Sequence, residues 1–324
     1  MKKTTFIAYD TLCSISISEP AGRSGALLLD QAKELALAVQ GTLNMYDPDS
    51  ELSKVCAAYI PCVPICITSM LYRFISLNLE FSRQTGGAFD FTVGSLVKLW
   101  DFIGDQPEIP EDRQLRRIMK QVGYQHVHLL KDRQEVVFDV PDITLDPGAS
   151  GKGFALELAV DFLKSEGVTQ AVLDFGGNLY AIGGKPESGS EAISHWRVGI
   201  RHPDQDHLLG TVILADRGIA TSSWYEHSFC KDGTVYHHLL NPQTGKPQEL
   251  DISSVSILSS QALYTDLLST AFFVMGKDGG CALADYLADQ CGVDADYVIL
   301  GKDGSLLASP GAGYCRAPVN GISE

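Results

Sequence analysis

Phe154, Leu156, Leu158, Ala159, Phe162 and Leu163 recur at helical spacing, and Gly167 stands where such a helix should stop. The apolar run Ala171-Val172-Leu173-Asp174-Phe175 that follows reads as a buried strand, closed by Gly176-Gly177-Asn178. Ahead of the helix lies the loop Leu145-Asp146-Pro147-Gly148-Ala149-Ser150-Gly151-Lys152-Gly153. Loop, helix, strand and a second glycine turn thus follow one another within about forty residues, as in compact α/β units. Main-chain N–H groups at glycine turns and helix N-termini attract anions, because no Cβ blocks close approach. The unit therefore predicts a cradle for a phosphorylated ligand.

The rest of the chain alternates similar signals. Phe6 to Ser18 alternates apolar and small polar residues and reads as one strand, Ala26 to Asn44 as a long helix, and Met45 to Leu52 as a turn with Asp49 or Ser50 as N-cap. Leu71 to Thr85 and Glu111 to Val122 predict helices, and His126–Leu130 with Glu135–Phe138 a hairpin. Trp196–Ile200 and Gly210–Leu214 read as paired strands, and Ile219 to Ser223 as the start of a hydroxyl-rich loop. Val235 to Leu240 is a short strand before the turn Asn241-Pro242-Gln243-Thr244-Gly245-Lys246-Pro247. Val255–Leu258 is a strand, Ala262 to Met275 a helix stopped by Gly276, Cys281 to Gln290 another helix and Asp296 to Leu300 a strand, with structure lost after Ser309.

Composition narrows the function classes. With 324 residues and 45% hydrophobic positions the chain can bury a sizeable core, and no composition shift marks a domain boundary. A formal charge of −15 repels polyphosphate and anionic surfaces, which argues against nucleic acid or a membrane as partner. No apolar run reaches membrane-spanning length, and Asp10 interrupts the N-terminal apolar stretch before a signal-peptide core forms, so a cytoplasmic protein without a membrane anchor is expected. The eight cysteines include no Cys-x-x-Cys pair and read as free thiols.

Some residues carry possible chemistry. Asp266 and Thr270 lie one helical turn apart on an otherwise apolar face. A carboxylate turned toward a core needs a partner, which an oxygen-liking cation would supply; a local cap for Asp266 and a back-bond from Thr270 to a carbonyl serve equally at this stage. Of the adjacent His237 and His238, one on each face of a strand, one should point inward, where it is either a general base or simply a hydrogen-bonded residue. Cys230 beside them lacks the second cysteine of a metal fragment. Tyr46 reads locally as a half-buried aromatic beside a turn. The loop Gly148–Gly153 matches neither the phosphate loop ending in Gly-Lys-Ser/Thr nor the dinucleotide pattern Gly-x-Gly-x-x-Gly.

Taken in order, these segments resemble the ApbE family, the FAD:protein FMN transferases. The resemblance runs through Tyr9-Asp10-Thr11-Leu12, the turn Asn44 to Ser50, Phe89-Asp90-Phe91-Thr92-Val93-Gly94 with Trp100 downstream, Asp146 to Gly153, His238 to Pro247, and Asp266 to Thr270. It implies an α+β fold related to the T-fold, mixed sheets flanked by helices in two intimately packed lobes, over residues 1–310, with 311–324 a flexible tail. It implies FAD as substrate, lying against Tyr46, Phe89, Asp90 and Asp146, with Lys152 and the amides of Gly176 and Gly177 near its phosphates or ribityl chain. Thr221 aligns with a threonine-serine segment of the family's site. Mg²⁺ would sit on Asp266, Thr270 and the Ala149 carbonyl, and His238 would be the catalytic histidine. The implied reaction joins FMN to a threonine or serine of a flavoprotein and releases AMP; FAD hydrolysis to FMN and AMP, or FAD binding without chemistry, are the alternatives.

Overall fold

A computed structural model describes residues 1–317 except 103, 105–106, 187–192, 226–227 and 250. Its frame is an eight-stranded sheet whose strands, in spatial order, are Lys2–Ala8, Thr11–Ile17, Ala171–Phe175, Asn178–Ile182, Arg217–Ser223, Ile252–Ser259, Asp296–Gly301 and Leu306–Ala308. Every neighbouring pair is antiparallel. The helices are α1 (Gly25–Leu43), α2 (Glu51–Ala58), α3 (Ser69–Gln84), α4 (Gly94–Trp100), α5 (Asp112–Ile118), α6 (Gly151–Ser165) and α7 (Ala262–Cys291). The class is α+β, as the family resemblance implies.

One face of the sheet carries α1, α6 and α7. Leu28, Ala32, Ala36, Val39 and Leu43 form the buried stripe of α1, spaced at three to four residues as an amphipathic helix requires. They join Phe6, Cys13, Ile15, Leu173, Phe175 and Tyr180 from alternate sheet positions in the main core. The opposite face, with Ala181, Ile219, Leu258 and Val298, packs against Ile200, Val212 and Leu214 of a small sheet, Trp196–Arg201, Leu208–Leu214 and Cys315–Arg316. Ile252–Ser259, covered on both sides, is buried at every position. A third cluster of Leu96, Trp100, Leu115, Val122 and Leu240 ties α4 and α5 to the turn that follows His238.

Four expectations change. Phe6 to Ser18 is not one strand but parts of two, because Tyr9 (φ 53°) and Asp10 (φ 56°) make a two-residue hairpin turn with both residues left-handed. The cost of that conformation at Tyr9 is offset by its side-chain hydroxyl donating to Ala36 O and its amide to Gln40 Oε1. Ile219 to Ser223 is not a loop but half of a central strand. Two of its three hydroxyls have partners, Thr221 Oγ1 with Ser256 Oγ and Ser222 Oγ with Ser269 Oγ, both at 2.7 Å, which lowers the cost of placing small polar residues in a sheet; Ser223 Oγ is buried without a partner among the described residues. The short strand expected over Val235 to Leu240 is Thr234–His237, hairpinned with Ser228–Lys231. Order also persists past Ser309, through a 3₁₀ turn at Pro310–Ala312 to Cys315–Arg316 on Leu208–Leu214; residues 318–324 lie outside the described residues. The stop expected at Gly276 is present, as a break within α7 at φ 73° after which helix resumes. Among the described residues no helix is long and apolar enough to cross a membrane.

Candidate active site

A cavity of about 590 Å³ opens where α1, α4, α6, α7 and the end of the central strand Arg217–Ser223 converge. That volume lies within the range of about 300–1,000 Å³ typical of small-molecule sites.

The loop before α6 forms one wall. Asp146 N–H donates to Phe91 O at 2.7 Å, and its carboxylate accepts Gly148 N–H at 2.8 Å, so the side chain closes its own turn. Burial pushes the Asp146 carboxyl up, with the Gly148 amide and the Lys98 ammonium pulling it back. Ala149 and Lys152 line the cavity beside it.

The facing wall is α7. Asp266, buried, and Thr270 both line the cavity, as their spacing requires. Gly153 N–H, in the first turn of α6, donates to Asp266 Oδ2 at 2.9 Å. Ser222 Oγ donates to Ser269 Oγ, which donates to Asp266 O at 2.9 Å, so the neighbouring strand and this turn of α7 are held together.

Tyr46 stands at the mouth, 58% exposed, whereas Phe89 is buried and shows the cavity little of its ring. Asp90 lines the cavity, yet its oxygens are occupied by the Thr92 amide and hydroxyl at 2.8 and 2.7 Å and by the Tyr124 amide at 2.7 Å. Burial raises its pKa and those hydrogen bonds oppose the rise. Its observed part is to lock the turn that carries Phe89 and Phe91.

The two histidines separate cleanly. His237 is buried; its Nδ1 accepts Leu239 N–H at 3.3 Å, which leaves Nε2–H to donate to Gln248 O at 3.0 Å. His238 is half-buried and lines the cavity. The turn after it is pinned by Trp100 Nε1–H donating to Gly245 O at 2.9 Å and by Asn241 Oδ1 accepting Gln243 N–H at 2.8 Å. Thr221 lines the cavity from the strand end.

Gly176 and Gly177 do not line it. They form the tight turn between Ala171–Phe175 and Asn178–Ile182 at φ 67° and 93°, where Gly177 N–H donates to Asp174 Oδ1 at 3.0 Å. An added Cβ at Gly176 would stand 2.3 Å from Thr11 Cγ2, so this glycine serves the approach of two hairpin turns. The next residue, Asn178, reaches the cavity instead.

Sequence reasoning also passed over Gln40, Lys98 and Asp101 as wall residues. Lys98 had a signal, as the one charge in the apolar run Gly94–Trp100. Gln40 looks like any polar position of a helix and gave none. Among the described residues no three His, Cys, Asp or Glu side chains group as a metal site, so Cys230 and the histidines make none, and all eight cysteines are free.

The cavity is acidic for a phosphate site: the carboxylates of Asp10, Asp90, Asp101, Asp146 and Asp266 outnumber the ammonium groups of Lys98 and Lys152. A carboxylate, a hydroxyl and a carbonyl at Asp266, Thr270 and Ala149 are the oxygen donors that a hard cation takes. The donor set therefore fits a divalent cation, and an anionic ligand in this lining calls for one.

The chain is similar to known proteins over most of its length. The chain is 31% identical over 307 residues to the FAD:protein FMN transferase of Treponema pallidum (strain Nichols), covering 90% of this chain and 83% of that protein. It is 29% identical over 242 residues to the FAD:protein FMN transferase of Escherichia coli (strain K12), covering 73% and 67%. Its fold matches the crystal structure of the ApbE protein from Thermotoga maritima with a TM-score of 0.83 at 26% identity, over 95% of this chain and 97% of that one. The apo flavinyl transferase ApbE of Pseudomonas stutzeri matches with a TM-score of 0.81, also at 26% identity, over 95% and 94%. The family model described as the ApbE family matches residues 9–293, and the chain belongs to the ApbE family.

Proposed function

We infer that this chain is an FAD:protein FMN transferase, moving FMN from FAD to a threonine or serine hydroxyl of a flavoprotein and releasing AMP. The observation that carries the reading is convergence. Asp146, Ala149, Lys152, Thr221, His238, Asp266 and Thr270, drawn from four separate stretches of sequence, line one cavity together with the exposed ring of Tyr46.

In this reading Tyr46 and the Phe89 turn take the flavin end, while Lys152 and the first turn of α6 address the diphosphate. Asp266, Thr270 and the Ala149 carbonyl would hold Mg²⁺, which when bound supplies charge neutralisation on the diphosphate and the departing phosphate. His238 takes the proton of the acceptor hydroxyl. The oxygen then attacks the FMN phosphorus, the phosphorus–oxygen bond to AMP breaks, and AMP leaves with the electron pair. Eight free cysteines favour action in a reducing compartment such as the cytoplasm.

The test is AMP release from FAD and Mg²⁺ with and without a threonine-bearing flavoprotein acceptor. AMP together with covalent flavin on the acceptor supports transfer. AMP formed equally well without acceptor would make the protein an FAD pyrophosphatase, and none under either condition would leave a flavin-binding protein.

A further inference from the structure

Asn178 is the cavity residue with an unmet need. It is 4% exposed and lines the cavity, and its side-chain Nδ2 is enclosed with no hydrogen-bond partner among the described residues; a half-turn of the amide, which exchanges Nδ2 and Oδ1, brings the donor to the cavity side. A buried amide donor left without an acceptor costs free energy, and such groups in native folds are explained by a ligand, a water or a functional role.

The sheet register says where this donor stands. Leu179 pairs with Ile219, so Asn178 comes next beside Ala220, and Ser222 lies two residues further on the same face. Ser222 is bonded to Ser269 of α7, and Ser269 to the Asp266 carbonyl. Asn178 thus shares the helix-covered face with the turn of α7 that bears Asp266 and Thr270. The hairpin turn at Gly176-Gly177 fixes the start of its strand, so the amide is held on a rigid element rather than on a loop.

We propose that Asn178 is a substrate-binding residue that donates its amide N–H to a non-bridging phosphate oxygen of the bound nucleotide, beside the Asp266–Thr270 corner. The assignment rests on the flavin nucleotide reading given above. An uncharged donor suits this place: it satisfies a phosphate oxygen without competing with a cation for the Asp266 carboxylate. It also discriminates by chemistry, since riboflavin brings no phosphate oxygen to it.

The experiment measures the affinities of FAD, ADP and riboflavin, with Mg²⁺, for the wild type, Asn178→Ala and the near-isosteric Asn178→Asp, with thermal melts as a folding control. A lost hydrogen bond to a charged oxygen predicts FAD and ADP binding weakened about 10- to 100-fold in Asn178→Ala. Asn178→Asp should be weaker still, with riboflavin within about twofold of wild type in both. Equal losses for riboflavin and FAD would overturn the assignment by moving the contact to the flavin ring. Unchanged FAD and ADP affinity in either folded variant would overturn it by removing the contact. A wild-type protein that binds riboflavin and ADP but not FAD, or none of them, would instead sink the flavin nucleotide reading, and this assignment with it.

Discussion

Gly153 donates its backbone N–H to the Asp266 carboxylate at 2.9 Å, and a Cβ added at Gly153 would lie 2.7 Å from Asp266 Cβ, 3.1 Å from Leu263 Cα and 3.2 Å from Ala262 O. The same glycine therefore orients the carboxylate and sets how closely α6 approaches α7. Replacing glycine by alanine inside a helix ordinarily gains about 0.8–1 kcal/mol. Here two of the three obstructing atoms are backbone, which cannot turn aside, so overpacking at about 1–3 kcal/mol wins. Gly153→Ala should melt lower than wild type and need more Mg²⁺ for half-maximal AMP release. A variant that melts higher with an unchanged Mg²⁺ requirement would show that α7 moves freely.

Asp266 can be tested apart from its structural bond. Asp266→Asn keeps an oxygen to accept the Gly153 N–H but loses the charge, so its melting temperature should stay near wild type while turnover falls at least about 100-fold, not restored by excess Mg²⁺. Asp266→Ala leaves the Gly153 amide unpaired and should cost a further ~1–3 kcal/mol of stability. Retained turnover in Asp266→Asn would refute the ligand assignment.

His237 and His238 should part company in the same assay. His238→Ala is expected to bind FAD within a few-fold of wild type and to lose roughly 10²–10⁴ in turnover, the usual contribution of a general base. His237→Gln should keep turnover but change acid stability. Burial holds the His237 pKa below its usual range, while the Gln248 hydrogen bond pulls upward. Its stabilisation is thus present above the unfolded pKa of about 6.5 and lost as pH falls through the lower folded value. Thermal melts below that pH should fall more steeply for wild type than for His237→Gln; parallel curves would mean that another group carries the acid sensitivity.

Tyr46 offers an aromatic face at the mouth with little role in the core. At 58% exposed, its removal should change stability by no more than about 0.5 kcal/mol. Tyr46→Ala should weaken FAD binding about two- to tenfold, the value of one aromatic contact, and Tyr46→Phe should restore it. Loss of affinity in Tyr46→Phe as well would assign the contact to the hydroxyl.

Much of the architecture was legible because its causes are local. The stripe of α1, the Ser50 cap of α2, whose hydroxyl accepts Ser53 N–H at 3.0 Å, and the glycine break in α7 follow from spacing and backbone chemistry. So does the Asp266–Thr270 pair, since residues four apart share a helix face whatever surrounds the helix. The errors fell where distant contacts outweigh local preference. Thr221-Ser222-Ser223 reads as a loop until Ser256 and Ser269 arrive to bond the first two hydroxyls. Tyr9 sits left-handed only because α1 receives its hydroxyl and amide.

By itself the sequence determined which stretches to examine as a candidate site and the order in which they come: the loop at Asp146–Gly153, the turn after His238 and the helix turn at Asp266–Thr270. The tertiary structure alone decided which of two adjacent histidines meets the cavity, that Asp90 is spent on its own turn, and that Asn178 rather than Gly176 or Gly177 forms the wall. A side chain's period along its own strand or helix is set by covalent geometry. The partner it meets is set by sheet register and helix packing, which join residues more than a hundred positions apart, as at Gly153 and Asp266.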